Sequence, residues 1–367
     1  MKVIQILPEL NAGGVERGTL EIAAHLVSEG HEAIVISNGG RMVQALEASG
    51  ARHIAMPVHR KSLVSLLQVL PLRRLMEKER PDILHIRSRV PGWIAYLAWR
   101  GMNAKTRPRL VSTVHGFYSV NRYSAIMMKG ERVIAVSEST RQYILKNYPQ
   151  TPPSLIRVIP RGIDPADYGI NYQPRPSWLA QWQQDHPELS GKKLLLLPGR
   201  ITRLKGHSDF FRLISELKKL GLPVCGLIAG NTHPKKQAYL QELQQQAREL
   251  GITEDLVFLG HRSDLRELMA VSDIVMSLSQ QPESFGRTAL EALALGKPVI
   301  GYDCGGVGEL LTQFFRKGAV PPGNIKQIID TATFVIRNNS VPTEISKTYA
   351  LHSMCSSTLD VYKELAG

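Results

Sequence analysis

Short apolar runs alternate with helix-like stretches along almost the whole chain. VIQIL (3–7) leads into a helical pattern from Val15 to Glu29 that Gly30 ends, and AIVIS (33–37), DILHI (82–86), RLVSTVH (109–115) and RVIAVS (132–137) follow in the same manner. Strand-like runs separated by helices are crossover units, and these demand a parallel sheet covered on both faces. Residues 165–192, rich in Pro, Gln and Trp, break the rhythm and read as a connector. A second series then runs through LLLLPG (194–199), PVCGLIAG (223–230), LVFLG (256–260), DIVMSLS (273–279) and PVIGYD (298–303). A chain of 367 residues is too long for one ordinary core. The expectation is an α/β protein of two doubly wound domains facing across a cleft, 1–168 and 169–344, with a C-terminal helix in 345–367 packing back on the first.

Charge narrows the partners. The net charge of +13 is lopsided: residues 1–164 hold 23 Lys+Arg against 12 Asp+Glu, while the rest hold 22 against 20. A basic half suggests an anionic partner, whether nucleic acid, acidic lipid surface or phosphorylated substrate. HRKSLVSLLQVLPLRRLMEKER (59–80) mixes leucines with basic clusters, and RSRVPGWIAYLAWR (87–100) adds aromatics and three arginines. Taken alone, each reads first as an ordinary core helix with a solvated basic face; the charge asymmetry favours a basic surface for an anionic membrane. The three cysteines, Cys225, Cys304 and Cys355, lie far apart and form neither a disulfide framework nor a zinc pattern, which points to a reducing compartment. MKVIQILPEL has no signal-peptide character, and no run of 18 apolar residues exists. No recognisable nucleic-acid module is present, so nucleic acid is not expected as a partner.

In open α/β sheets, ligands bind beyond the carboxyl ends of the strands, and the chemically interesting residues fall there. GGVERG (13–18) follows the first strand, but its spacing is not that of a dinucleotide fingerprint, and it reads equally as a tight turn. GRITRLKG (199–206) brings Arg200 and Lys205 into one loop, where a guanidinium and an ammonium suit phosphate oxygens. PESFGRTALE (282–291) places Glu283 on a loop after a strand and Glu291 in the early turns of the helix that follows. The backbone N–H groups at Phe285 to Arg287 open that helix and suit phosphate. A carboxylate accepts two hydroxyl protons at once, as a sugar diol requires. Taken alone, Glu291 reads equally as an acid complementing the helix dipole and Glu283 as a surface charge.

PESFGRTALEALALGKPVIGYDCGGVGELL resembles the E-x7-E region of retaining glycosyltransferases of family 4, whose architecture of two Rossmann-like domains is called GT-B. The resemblance extends through NAGGVE, STVHGFY, AVSES, VIPRGID, LPGRITRLKG, FLGHRSDL and GAVPPGN, in family order. RSRVPGWIAYLAWR, VIPRGID and PESFGR further resemble a branch associated with lipopolysaccharide-core sugars. The resemblance implies roles. Glu291 holds the ribose hydroxyls of a nucleotide-sugar donor, and Glu283 holds hydroxyls of the transferred sugar. Phe285 and Gly286, flanked by Ser284 and Arg287, offer backbone N–H groups. Arg200 and Lys205, after Gly199, neutralise the diphosphate, Gly14 approaches the phosphates, and His115 touches the sugar near the reacting carbon. Glu16, Arg87, Arg89 and Arg161 are assigned to the acceptor. Ser284 and Arg161 depart from the commonest family pattern, in which Gly or Ala, and Asn, stand there.

The expected reaction moves a hexose with retention of configuration, GDP-mannose being the first choice of donor and UDP- or ADP-sugars the others. The acceptor is a lipid-linked saccharide, in the lipopolysaccharide core by resemblance. No D-x-D sequence is present, so no metal and no further cofactor are expected. No protein nucleophile is evident, which favours same-face attack with the departing phosphate taking the acceptor's proton. Charge asymmetry places such an enzyme in the cytoplasm, peripheral at the inner face of the membrane. A GT-B-like sugar-nucleotide epimerase would need no basic acceptor lobe. A non-catalytic binder of anionic surfaces or nucleic acid would need no Glu283, Glu291, Arg200 and Lys205 at strand ends.

Overall fold

The computed structural model describes residues 1–11, 13–232 and 237–367, so Ala12 of the NAGGVE stretch lies outside the described residues. The chain divides into two compact units, Met1–Gly162 with Lys347–Gly367, and Ile163–Ser346. The first contains β1 (Lys2–Ile6), α1 (Gly14–Ser28), β2 (Glu32–Ser37), α2 (Val43–Ala48), β3 (Arg52–Ala55), α3 (Val69–Glu79) and β4 (Ile83–Ile86). It continues with α4 (Arg89–Arg100), β5 (Arg109–Val114), β6 (Arg132–Ala135), α5 (Glu138–Asn147) and β7 (Ile156–Val158). The second contains α6 (Pro176–Asp185), β8 (Lys193–Pro198), α7 (His207–Lys219), β9 (Val224–Ala229), α8 (Gln237–Glu249), β10 (Leu256–Gly260) and α9 (Leu265–Val271). It closes with β11 (Ile274–Ser277), α10 (Arg287–Ala294), β12 (Val299–Tyr302), α11 (Gly305–Phe314), β13 (Ala319–Val320) and α12 (Ile325–Asn338). The last helix, α13 (Leu351–Ala366), belongs to the first unit.

Among the described residues, the first sheet runs β3-β2-β1-β4-β5-β6-β7 and the second β10-β9-β8-β11-β12-β13. The strand pairs are parallel throughout. Each unit is therefore a Rossmann-like doubly wound sheet. The order reverses between β1 and β4 in one and between β8 and β11 in the other, and at such a switch point the following loops diverge and leave a crevice.

Period-two alternation sorts the first sheet's side chains. Ile4, Ile6, Leu84 and Ile86 pack against Leu72 and Met76 of α3 and Ile94 and Ala98 of α4. Val3 and Ile83 face the other way, against Ile22 and Leu26 of α1 and Leu359 and Tyr362 of α13. Burying each such branched side chain stabilises by about 1.5–3 kcal/mol, so two covered faces suffice to fix the register. Helix starts are locally encoded: Ser137 accepts from the Thr140 N–H ahead of α5, and Asn324 from the Gln327 N–H ahead of α12.

Two expectations need correction. Residues 165–192 are no bare connector. They belong to the second unit and carry α6, opened by Pro176, whose Trp178 stacks on Trp182 and donates to Asp264 at 2.8 Å. The stretch 59–80 is not one helix either. A 3-10 turn at Leu63–Gln68 precedes α3, and Val64 and Leu67 stand exposed on it.

Candidate functional site

In the second unit, parallel pairing of β8 with β11 brings together the loops that follow them. Gly199 closes β8 with φ 129°, and the Lys205 stem crosses it, its Cε 3.2 Å from where a Cβ would stand. Lys205 then reaches Glu283 across 78 residues of sequence, Nζ to Oε1 at 2.5 Å. The Ser279 hydroxyl donates to the same oxygen at 2.5 Å. Burial pushes the Glu283 carboxyl up, but the Lys205 ammonium and the two hydrogen bonds outweigh it and hold the group below the usual carboxylate range. The Glu283 backbone is fixed as well: its carbonyl accepts from the Gly306 N–H at 2.8 Å, next to a parallel bridge to Gly305.

Helix α10 starts on Gly286, which is left-handed at φ 88° and has no side-chain cap. A Cβ there would be strained and would stand 2.5 Å from Val307 Cγ2, so glycine is required where the chain turns into the helix. Phe285 is buried beside it, and Ser284 is half-buried. Arg287 Nε donates to Glu291 Oε1 at 3.1 Å one turn on, and Glu291 is 5% exposed. Arg200 stands exposed at the head of the first loop. The structure thus unites Lys205, Glu283 and the α10 terminus around one switch point, and pairs Glu291 with Arg287 of its own helix. Sequence reading missed Ser279 and the Gly305–Gly306 backbone. The only signal was position, since both lie within four residues of a strand's end.

The first unit has a second cluster. Odd positions of β4 face α1 and α13, so His85 is buried, with Nδ1 2.7 Å from the Tyr362 hydroxyl and Nε2 2.7 Å from that of Thr113. Arg87 continues this phase. It is 1% exposed, donates to Gln5 Oε1 at 3.0 Å, and is pushed down to about 10 by burial. Arg161 lies beside it, and the two guanidinium groups flank Gly18: a Cβ there would overlap Arg161 Nη1 and come within 3.3 Å of Arg87 Nη2. Arg161 Nη2 donates to His115 Nδ1 at 2.7 Å. A guanidinium has no acceptor, so Nδ1 must accept and the ring is the neutral tautomer with its proton on Nε2. Burial, followed by the Arg161 and Arg87 charges, holds His115 well below its ordinary value. The His115 N–H donates to the Tyr118 hydroxyl at 3.2 Å.

Three of the residues assigned to an acceptor gather around His115. Arg161 bonds it, Arg87 is buried beside Arg161, and Arg89 meets the cluster at Tyr118, 4.6 Å from the ring centroid, and donates to the Ser124 hydroxyl at 3.2 Å. Gly14 and Glu16 lie in the first turn of α1, and it is Gly13, at φ 151°, that makes the turn into the helix. Among the described residues, no group of three or more His, Cys, Asp or Glu side chains is placed to hold a metal ion. No described helix is long and apolar enough to cross a membrane.

Two Rossmann-like units, each with a polar cluster at its switch point, define a class of doubly wound folds that bind ligands beyond the carboxyl ends of their strands. Residues 12–167 match the profile of Glycosyltransferase Family 4, and residues 180–350 that of Glycosyl transferases group 1. The chain belongs to this two-domain family of glycosyltransferases, of the GT-B type. It is similar to a glycosyltransferase of Rickettsia africae, with 29% identity and a TM-score of 0.86 over 99% of this chain and 98% of that one. It is also similar in fold to Anabaena HepE, solved in complex with UDP, with 21% identity and a TM-score of 0.78 over 100% and 97%. A lipopolysaccharide core biosynthesis mannosyltransferase of Rhizobium meliloti is 27% identical over 38% of this chain and 40% of its own.

Proposed function

We propose that this glycosyltransferase moves a hexose, with retention, from a nucleotide-diphosphate sugar to a lipid-linked saccharide at an anionic membrane surface. The observation that carries the reading is the Lys205–Glu283–Ser279 cluster beside the α10 terminus at one switch point. Cleavage of the sugar–phosphate bond builds negative charge on the departing diphosphate. Lys205, Arg200 and the α10 backbone stabilise that charge, and one such preorganised donor is worth about 10²–10³ in rate.

The resting ion pair implies an exchange. The diphosphate takes Lys205 from Glu283, and the released carboxylate accepts hydroxyls of the transferred sugar. Glu291 holds the ribose hydroxyls after yielding Arg287 to phosphate. His115, held neutral by Arg161, offers its Nε2–H to the sugar as a donor and does not act as a base. The departing phosphate takes the acceptor's proton, and the step needs no metal. The UDP complex of the Anabaena protein supports a nucleotide-sugar donor. The Rhizobium relative supports GDP-mannose and a lipopolysaccharide-core acceptor as first choices. The basic first half supports a peripheral site at the inner membrane face.

The test is nucleotide release from UDP-, GDP- and ADP-sugars in EDTA, with and without a deacylated lipopolysaccharide-core acceptor, for wild type and Glu291→Ala. Acceptor-dependent release from one donor, lost in the variant, is the expected result. An inverted product, or a glycosyl group trapped covalently on a carboxylate, would overturn the mechanism.

A further inference from the structure

The 3-10 turn Leu63–Gln68 and the start of α3 leave Val64, Leu66, Leu67 and Leu70 exposed at 69%, 45%, 70% and 61%. Single exposed aliphatics are ordinary, but four within seven residues are not. Behind Leu66 lies a cavity of about 580 Å³, within the range of ligand pockets. Its walls are Val90, Trp93 and Ile94 of α4. Ser62, Ser65 and Tyr123 complete the lining; the Trp93 indole N–H is already used on the Tyr123 carbonyl at 2.8 Å and the Ser65 hydroxyl on the Arg60 carbonyl, so the α4 wall asks for hydrocarbon.

The rim asks for an anion. Arg60, Lys61 and Arg122 stand exposed at the mouth, and among the described residues no carboxylate lines the cavity. None of the three forms an ion pair among the described residues. Lys61 Nζ sits 4.8 Å from the Tyr123 ring centroid, and Arg60 Nε donates to His59 Nε2 at 3.2 Å. Surface cations are commonly neutralised by nearby acids, as Arg73 is by Glu77 on α3. Three of them left together over an apolar well are complementary to a molecule with a hydrocarbon tail and a negative head.

We infer that this cavity receives one acyl chain of an anionic phospholipid, whose phosphate sits among Arg60, Lys61 and Arg122. The inference rests on the reading of the first unit as the membrane-facing half and replaces a diffuse charged surface with a discrete site. It makes the exposed aliphatics the collar through which the chain passes.

The experiment is calorimetric titration with dihexanoyl phosphatidylglycerol below its micelle concentration, against dihexanoyl phosphatidylcholine and glycerol 3-phosphate. One phosphatidylglycerol per chain, at least tenfold weaker phosphatidylcholine and no measurable glycerol 3-phosphate are expected. Leu66→Asp and Arg122→Ser should each weaken the anionic lipid at least tenfold, while leaving the melting temperature and nucleoside diphosphate binding unchanged. Equal binding of both lipids, or an affinity insensitive to Leu66→Asp, would overturn the site. Acceptor-dependent transfer with no lipid binding would remove this inference and leave the proposed reaction standing. Lipid binding without transfer from any donor would do the reverse.

Discussion

Glu283→Gln should strengthen the binding of a nucleoside diphosphate while abolishing sugar transfer. In the free protein Lys205 Nζ lies 2.5 Å from Glu283 Oε1, and the two side chains are 32% and 26% exposed. A diphosphate that needs this ammonium must first take it from the carboxylate. A bare Coulomb figure for unit charges 4 Å apart at an effective dielectric of 20 is about 4 kcal/mol. Partial exposure and competing water reduce the net worth of such a pair to about 1 kcal/mol. With about 1.4 kcal/mol per factor of ten, that is roughly fivefold in Kd. Glutamine keeps the shape and still accepts from Ser279, so the loop stays in place. Titration calorimetry with the diphosphate of the preferred donor, on wild type, Glu283→Gln and Lys205→Ala, reads the effect. Lys205→Ala should weaken binding, and Glu283→Gln should give no gain in that background. Unchanged or weaker binding in Glu283→Gln alone would refute the exchange of partners at Lys205.

Arg161→Asn should let the His115 ring titrate nearer its ordinary value. Imidazole nitrogen shifts of the wild type should show the neutral Nε2–H tautomer well below pH 6.5, and identical titrations would remove the role given to Arg161. Gly18→Ala should cost about 1–3 kcal/mol in urea melts, because its methyl group overlaps Arg161 Nη1. Tyr362→Phe should cost about 1–3 kcal/mol by leaving buried His85 Nδ1 without its partner. His85, His115 and His207 are all held neutral by burial, His207 at about 4. The unfolded chain therefore binds more protons than the folded one below about pH 6.5. Stability should fall as pH drops from 6.5 toward 4, with a slope near 1.4 kcal/mol per pH unit for each such ring. A flat urea midpoint over that window would contradict the buried neutral rings.

The strands that position the site were legible because each is a run of buried branched residues ending at a polar loop. Strands β3, β7 and β13 were not. They are short outer members such as Ile156–Val158 and Ala319–Val320, and their pairing depends on neighbours far away in sequence. Candidate residues were found by their place after strands, but their partners were not, since Lys205 meets Glu283 only once β8 has paired with β11. The charge of Arg87 says nothing of its burial. The alternation Ile83, His85, Arg87 put it on the covered face of the sheet, where it packs behind Gly18. Read by phase, His85 and Arg87 of DILHIRS fall with Ile83 on the covered face.

The return of α13 to the first unit has a consequence for biosynthesis. Its Tyr362 seals His85, its Leu359 covers the layer over Ile83 and Val111, and Glu364 pairs with Arg132 and Arg157. Until residues 351–366 leave the ribosome, the face of the first sheet that α1 and α13 share is only partly covered. The second unit, contiguous in sequence, has all its strands and helices by residue 338. Of these two units, the one whose strands are made first is thus the one completed last, and its partly covered face is the one exposed to association during synthesis.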